Sequence, residues 1–343
     1  MIADSGTGAV RLPRRSLVAA IEERLLVPAY ASRWSSGSIA AHRGMALPFQ
    51  LTGSVRRRSV RFADTRIDML EIGREKLTAT LGARLLGELP EPVRDTRRAV
   101  WSPAALRGEP GTDIVIAEVH RWMADRFRQA GWLIVPQSVR WQGELVAIPP
   151  QDSSHGLLEN MRKAKRQGFA IEQRGAAQDW AEFYDTMVGP QALARHGPSA
   201  WVPSRHLMKE FSSVGILHFI TRGSERVAGI CTIPRGDTLW LAVSGVRHGD
   251  PALLRQGAGF AILWLTIEWA RSQGYHSLDA GRTGPFIKDG LQQFKRKWGL
   301  VPVLDPLAHV AAIWVNSSAV RQAFIREPVL VENGSSLQAY AGE

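Results

Sequence analysis

The sequence has little cysteine and lacks any apolar run long enough to span a bilayer. Cys231 is the one cysteine among 343 residues, which excludes an internal disulfide and any zinc or iron–sulfur site built on several cysteines. The first residues lack the apolar core of a secretory signal. The longest apolar stretch, Phe260 to Ala270, has about half the length of a membrane span and contains Glu268. We therefore expect a cytoplasmic protein without stable membrane insertion.

Acidic residues are scarce relative to basic ones. The chain has 32 aspartates and glutamates against 43 lysines and arginines, a formal net charge of +11. This surplus permits polyanionic partners, including tRNA, other nucleic acid, an anionic membrane surface or a phosphate-rich cofactor, but it does not choose among them. Hydrophobic residues make up 45% and charged residues 22% of the chain. These ordinary values indicate a folded globular protein rather than a disordered or fibrous one.

Prolines divide the sequence into regions. Four prolines interrupt residues 90–110, and Pro149–Pro150 forms a second break. We predict an N-terminal domain over residues 1–150, a second domain over 151–315 and a C-terminal tail over 316–343.

The N-terminal region contains several weaker patterns. A basic run, Arg56–Arg58 with Arg61, predicts a solvated strand or loop, and contact with an anion is the alternative. Apolar periodicity indicates three further elements, which are a helix over Leu17–Leu26, a strand over 113–117 and a helix over 118–130.

Beyond residue 150 the hydrophobic pattern is regular enough to predict a series of elements. The three strands before the apolar helix are close in sequence and form a predicted antiparallel meander. The elements are a helix from Ser153 or Ser154 to Gln167, a helix near 180–187, strands over 215–221, 227–233 and 238–246, a helix over 260–273, a strand over 275–281, a helix over 289–298 and a strand over 300–304.

A glycine-rich turn, Arg255 to Ala261, joins the third strand to the apolar helix. Unpaired N–H groups at a helix N-terminus bind anions, and glycines let a phosphate approach the main chain. No Gly-Lys-Ser/Thr follows, so the turn is not a Walker A loop, and it lacks the third glycine of a dinucleotide fingerprint. A tight turn without a ligand is the other interpretation.

Three motifs resemble those of the GNAT acyltransferase superfamily. The residues Gln256, Gly259 and Ala261 fit its Gln/Arg-x-x-Gly-x-Gly/Ala loop. The stretch 158–168 resembles the basic N-x-R-x-x-x-R/K-x-G helix of the CelD-like and Fem-type (FemAB-like) branches. Two further stretches, 278–282 and 291–299, resemble their D-x-G and F-K-x-x-F/W-G ending. The resemblance covers about residues 153 to 305.

The resemblance implies a mixed α/β (α+β) fold. We expect a GNAT-like domain over 151–315 with a mostly antiparallel central sheet that splays apart after the strand 238–246. The N-terminal region would then be a partial GNAT-like or family-specific domain. In the first case the chain would contain two GNAT-like halves.

The resemblance also implies a donor site. The glycine-rich turn would hold the donor's phosphates, the strand edge would hold its pantetheine or acyl arm, and a backbone N–H of that strand would stabilise the oxyanion. The expected donor-binding residues are Val243, Ser244, Val246, Arg255, Gln256, Gly257, Ala258, Gly259 and Ala261.

Proton transfer has several candidates. Asp279 either orients the amine or pairs with Arg282, while Lys295 contacts donor phosphate or is a solvated lysine. The possible bases further include His276, His248 and Asp289. The helix that carries a tyrosine acid in many GNAT enzymes has Phe294 and Trp298 instead, so no general acid is assigned. We select Asp279, Lys295 and His276 as catalytic, and Arg162, Arg166, Arg282 and Lys288 as substrate-binding.

The predicted reaction is N-acyl transfer from acyl-CoA, as cosubstrate, to an amine. The acceptor would be a small molecule or a cell-envelope or polysaccharide precursor, and no metal is expected. Two alternatives remain at this point: a Fem-type transferase that uses aminoacyl-tRNA, and a non-catalytic GNAT-like module that binds a polyanion.

Overall fold

The computed structural model describes residues 52–100, 102–107, 110–153, 155–197, 200 and 202–342. The predicted helix over Leu17–Leu26 lies outside these residues. The strands are β1 (Thr52–Phe62), β2 (Thr65–Ile72), β3 (Val93–Ala99), β4 (Ile114–Val119), β5 (Leu133–Pro136), β6 (Val139–Glu144), β7 (Phe169–Arg174), β8 (Ile216–Arg222), β9 (Glu225–Arg235), β10 (Thr238–Val246), β11 (Ser277–Thr283), β12 (Val301–Leu304), β13 (Val310–Val315), β14 (Val329–Asn333) and β15 (Ser336–Tyr340).

The helices alternate with these strands along the chain. A π-helical segment, Phe183–Val188, joins two of them. They are α1 (Glu75–Leu86), α2 (Pro103–Arg107), α3 (Ala124–Gln129), α4 (His155–Arg166), α5 (Ala177–Glu182), α6 (Gly189–His196), α7 (Arg205–Val214), α8 (Pro251–Gln256), α9 (Ala258–Ser272), α10 (Gly290–Lys297) and α11 (Ser318–Arg326).

The first sheet has six strands in the order β3-β1-β2-β4-β13-β5. The β2–β4 pair is parallel, and the other neighbours are antiparallel. Every residue of β4 is buried because the sheet is covered on both faces. Apolar residues of α1 and α11 pack on one face, and residues of α2 and α3 pack on the other. The predicted helix over 118–130 is shorter than expected, since Glu118 and Val119 continue β4.

The basic run Arg56–Arg58 with Arg61 lies in β1, where Arg61 is exposed but two of the other arginines are not solvated. Successive residues of a strand point to opposite faces, so Arg56 and Arg58 share the face that α1 covers, and both are buried. The Nε atom of Arg58 donates to Glu71 at 2.7 Å, and Arg56 donates to the main-chain oxygen of Gly73 at 2.9 Å. The run is therefore used in internal ion pairing, which the charge pattern alone did not reveal.

The second sheet has seven strands in the order β12-β6-β11-β10-β9-β8-β7. All neighbouring strands are antiparallel except the β10–β11 pair. The buried residues of α4 and α9 pack on one face, and those of the π-helical segment and α7 pack on the other. This arrangement confirms the predicted mixed α/β fold with a mostly antiparallel sheet, and the two sheets agree with two halves.

Each sheet takes one strand from beyond the predicted domain boundaries. Strand β6 precedes residue 150 but lies between β11 and β12 of the second sheet. Strand β13 follows the second sheet in sequence but lies between β4 and β5 of the first. The segment predicted as a tail contains α11 and the β14–β15 hairpin. The domain boundaries stay a prediction. Because β6 and β13 each pair in the sheet of the other half, they join the two halves.

Candidate active site

Strands β10 and β11 diverge from a short paired section. Among the described residues they pair at three positions, the last of which joins Trp240 to Asp279. Beyond that point β10 continues to Val246 beside β9, so its other edge is open. Both strands change register here, β10 between Leu241 and Val243 and β11 between Asp279 and Arg282. We call the point of divergence the vertex, and the edge of β10 from 241 to 246 the open edge.

Gly281 explains why β11 turns away from β10. Its φ of +70° belongs to the left-handed region that favours glycine. A Cβ at this position would lie 3.2 Å from the main-chain oxygen of Leu241. The N–H of Gly281 donates to Asp279 Oδ1 at 2.9 Å, which holds the turn in place. The irregular backbone of Gly281 therefore forms one wall of the vertex.

Ladder alternation decides which groups face the open edge. The N–H of Val246 donates to Oε1 of Gln191, although Val246 lies opposite Ala228 of β9. Because this N–H donates outside the β9 ladder, we infer that it points away from β9. The main-chain groups of Ser244, two residues earlier, must point the same way, whereas Gly245 points toward β9. Val243 follows the bulge and pairs with Cys231 of β9. Of the three predicted strand residues, Ser244 therefore presents its main chain to a donor most directly.

The glycine-rich turn is a break between two helices, not a turn directly after a strand. Asp250 accepts from the N–H of Ala252 at 2.7 Å and caps α8, which intervenes after β10. Gly257, with φ +98°, then ends α8 and begins α9 without a side-chain cap. The first N–H groups of a helix have no partner within it. The α9 N-terminus therefore lies where the sequence predicts an anion site, and the site stays a prediction.

The space around Gly259 is open enough for a ligand. A Cβ built there would have one neighbour within 4 Å, the Cδ2 of Leu254 at 3.4 Å. Gln256 accepts a hydrogen bond from Nη1 of Arg222 at 2.6 Å, and Arg255 is exposed. Arg222 thus adds a cation to this turn that sequence spacing did not indicate.

Asp279 lies at the vertex and is fully buried. Its Oδ2 forms an ion pair with Arg140 and accepts from Nε2 of Gln142 at 3.4 Å. The suggested pairing of Asp279 with Arg282 is wrong. Arg282 instead forms an ion pair with Asp305.

Lys295 is buried behind β11, with 6% of its surface exposed, so it is not a solvated lysine. Its Nζ donates to the main-chain oxygens of Gly281 at 3.2 Å and Arg282 at 3.1 Å. Burial lowers the pKa of this ammonium to about 7, and the nearby charge of Asp289 opposes the shift. Lys295 thus supports the wall of the vertex and can lose its proton near neutral pH.

The remaining candidate bases do not converge on the vertex. His276 is exposed and precedes β11, at the end of the strand pair opposite to the divergence. His248 is exposed in the turn after β10 and has a φ of 54°. Asp289 accepts from the N–H of Leu291 at 2.8 Å and caps α10. These positions follow from strand direction, which the sequence pattern alone could not supply.

The predicted substrate-binding residues are distributed over three surfaces. Arg162 and Arg166 are exposed on α4, where both form ion pairs with Glu159. Lys288 donates to the main-chain oxygen of Arg326, at the end of α11. Arg282 alone lies on β11 beside the vertex. The local sequence contains no signal for Arg140, Gln142, Asp305, Gln191 or Arg222, whose positions at the site depend on the tertiary structure.

The described residues contain no helix long and apolar enough to cross a membrane. They also contain no group of three or more histidine, cysteine, aspartate or glutamate side chains that could hold a metal ion.

Comparison with known proteins identifies the second half of the chain. Residues 155–296 match the family model described as "Acetyltransferase (GNAT) domain". No curated protein matches the chain. Among solved structures, L-PGS from Bacillus licheniformis aligns with a TM-score of 0.42 and 13% identity over 87% of this chain and 92% of that one.

Two further solved structures align at similar or lower scores. FemX aligns with a TM-score of 0.39 and 9% identity over 88% of this chain and 97% of that one. A GCN5-related N-acetyltransferase from Sphaerobacter thermophilus aligns with a TM-score of 0.34 and 14% identity over 58% of this chain and 57% of that one. Residues 155–296, which include the splayed strands and the uncapped helix N-terminus, therefore form a GNAT acetyltransferase domain, and this domain supports a transferase activity.

Proposed function

We propose that the protein transfers an acyl group from acyl-CoA to an amine. The observation that carries the proposal is the open edge of β10 together with the uncapped N-terminus of α9, two elements that pack in one apolar cluster. The first feature suits an extended arm that contains amides, and the second suits a pyrophosphate. The residues Val246 and Ala258 belong to one apolar cluster, so a single ligand can use both features.

In this proposal the acyl carbon lies at the vertex. The amine nitrogen forms a bond to the acyl carbon and gives up one proton, the carbon–sulfur bond breaks, and the released thiolate takes up a proton. A main-chain N–H of the open edge stabilises the oxyanion. Asp279 and Lys295 act by holding the Gly281 turn, since both contact its main chain. His276 has no role in it, because it lies at the paired end of β11.

The acceptor class follows from the resemblance rather than from a particular contact. We propose the amine of a small molecule or of a cell-envelope or polysaccharide precursor. Arg282 is the substrate-binding candidate beside the vertex, and its ion pair with Asp305 holds its guanidinium in place.

The test is donor binding by a Gly259→Val variant. Valine should block phosphate approach while the fold persists, because the new side chain meets only the flexible end of Leu254. We expect CoA affinity to fall about tenfold or more, since a hydrogen bond to a charged group contributes about 1.5–3 kcal/mol. Titration calorimetry measures this loss.

Gly290→Val is the matched control. Gly290 also begins a helix, and a Cβ there would have no neighbour within 4 Å, but it lies outside the proposed donor site. Equal CoA affinity in wild type and Gly259→Val would contradict the proposed phosphate site.

An aminoacyl-tRNA donor is the second candidate. The exposed basic face of α4 favours it, and this face consists of Arg162, Lys163, Lys165 and Arg166. If these side chains neutralise four or five phosphates of a tRNA body, counterions are released. The logarithm of the affinity should then fall with the logarithm of the salt concentration, with a slope of about −3 or steeper. Main-chain N–H groups hold most of the CoA phosphates in our proposal, so CoA should show a shallow slope.

Salt titrations with both donors separate the two candidates. We expect measurable CoA binding with a shallow slope near physiological salt. The contrary result is that CoA does not bind, whereas RNA binds with a steep salt dependence that the Arg162→Ala/Arg166→Ala variant abolishes. Aminoacyl-tRNA would then replace acyl-CoA as the proposed donor. Arg126→Ala/Arg128→Ala on α3 removes the same charge from another helix and serves as the control.

A further inference from the structure

Gln191 of α6 occupies part of the open edge. Its Oε1 accepts the hydrogen bond that the N–H of Val246 donates on the side away from β9. An N–H can pair only with the oxygen of a side-chain amide, so the orientation of the Gln191 amide is determined. A side-chain amide therefore stands where the amide of an extended ligand would pair with β10.

The backbone around Gln191 is held close to β10. Gly245 permits this approach, because a Cβ there would lie 2.5 Å from the main-chain oxygen of Met187. Met187 belongs to the π-helical segment that leads directly into α6. The backbone cannot withdraw without unpacking the π-helical segment, whereas the Gln191 side chain can rotate about its own bonds. A ligand that competes for Val246 therefore has to displace the side chain alone.

We propose that Gln191 is a displaceable cap of the donor site and a determinant of which donor arm binds. This inference rests on the proposed acyl-CoA function. In the free protein the Gln191 amide satisfies the N–H of Val246, and an amide carbonyl of the donor arm replaces it on binding. A donor whose arm has no acceptor at that position loses the hydrogen bond and leaves a buried N–H unpaired, which disfavours its binding.

Two substitutions at Gln191 have opposite expected effects. Gln191→Met keeps the side-chain length but removes the acceptor, so the donor no longer competes with it. CoA affinity should rise about fivefold to tenfold, since an unpaired buried donor is costly in the free protein. Gln191→Glu supplies a charged acceptor, and charge-assisted hydrogen bonds are stronger. CoA affinity should therefore fall by a similar factor.

ADP distinguishes capping of the edge from other effects, because it carries a pyrophosphate but no pantetheine arm. Gln191→Met should tighten CoA binding and leave ADP binding unchanged. Any charge repulsion in Gln191→Glu would weaken both ligands, so the loss specific to CoA measures the cap. Gln173→Glu, exposed on the edge strand β7, adds the same charge elsewhere.

Calorimetric titrations of the full chain give three informative outcomes. Tighter CoA binding by Gln191→Met with unchanged ADP binding supports the cap. The cap is overturned, but the proposed function is kept, if Gln191→Met binds CoA with the same affinity as wild type. The same holds if Gln191→Met binds CoA more weakly while its thermal unfolding remains cooperative. Wild type that binds neither CoA nor ADP overturns the proposed function itself.

Discussion

At the scale of single residues, the polar side chains around the vertex act on the backbone of β11. Asp279 holds the N–H of Gly281, and Lys295 holds the carbonyl oxygens of Gly281 and Arg282. Arg140 pairs with Asp279 from the neighbouring strand β6. A buried ion is costly unless it is paired and hydrogen-bonded. The conformation of the vertex therefore depends on side chains that no ligand needs to touch.

Burial of Lys295 makes stability depend on pH in a definite direction. The pKa of Lys295 is about 7 in the folded protein, below its ordinary value. The unfolded chain therefore binds more protons between pH 7 and the ordinary lysine pKa, and stability rises with pH across this window. Between pH 7 and about pH 9, the free energy of unfolding of wild type should rise by about 2 kcal/mol relative to that of Lys295→Met.

Urea unfolding of wild type and Lys295→Met at several pH values measures this gain. Lys297→Met, an exposed neighbour on the same helix, should follow the wild-type pH dependence. A difference between wild type and Lys295→Met that stays constant from pH 7 to about pH 9 would show that the burial of Lys295 does not shift its protonation.

At the scale of elements, the site depends on how β10 and β11 separate. The two strands are parallel and pair at three positions before Gly281 turns β11 away. The register change in β10 near Ala242 lies at the same level. A bulge bends a strand and leaves ladder groups unpaired. The open edge thus results from irregularities in both strands.

Gly281→Ala tests this origin of the open edge. Alanine in the left-handed region costs about 1–2 kcal/mol, and its Cβ would also press on the Leu241 oxygen at 3.2 Å. We expect lower stability and lower transferase activity together, because the wall of the vertex must move. Gly284→Ala has no positive φ and meets only Phe286 at 3.8 Å, so it should change neither. Equal behaviour of the two variants in unfolding and activity assays would contradict the assignment.

At the scale of the whole molecule, the exchange of strands makes the two halves interdependent. Without β6, strand β11 would lose a neighbour and β12 would lose its pairing. Without β13, strands β4 and β5 would separate. An exposed, unpaired strand edge promotes aggregation. We therefore expect the two sheets to fold as one cooperative unit.

Expression of residues 151–315 alone tests this dependence. The fragment contains the matched GNAT domain, but it lacks β6 and carries β13 without partners. We expect an aggregating or partly unfolded product without a cooperative thermal transition. The full chain under the same conditions is the control. A fragment that is monomeric, unfolds cooperatively and binds CoA would establish the predicted boundary at residue 150.

The local sequence was sufficient for the elements that neighbouring residues build together. The meander β8–β10, the apolar helix α9 and the helix α10 were predicted within a few residues of their bounds. Hydrophobic periodicity and glycine positions report such elements directly, because their contacts join residues close in sequence. The motif around Gln256 and Gly259 predicts an anion site by the same local chemistry, and this site stays a prediction. The pattern does not indicate α8, which precedes the motif.

The tertiary structure alone decided the pairing of distant segments. The sequence by itself determined that the chain folds as a mixed α/β protein, and it predicted a donor-binding turn at residues 255–261. It did not determine that Arg140 meets Asp279, that Gln191 caps Val246 or that His276 lies at the paired end of β11. Such contacts depend on strand order and register, and a shift of one residue would reverse every side chain. No local pattern encodes that register, which is set by packing of the whole molecule.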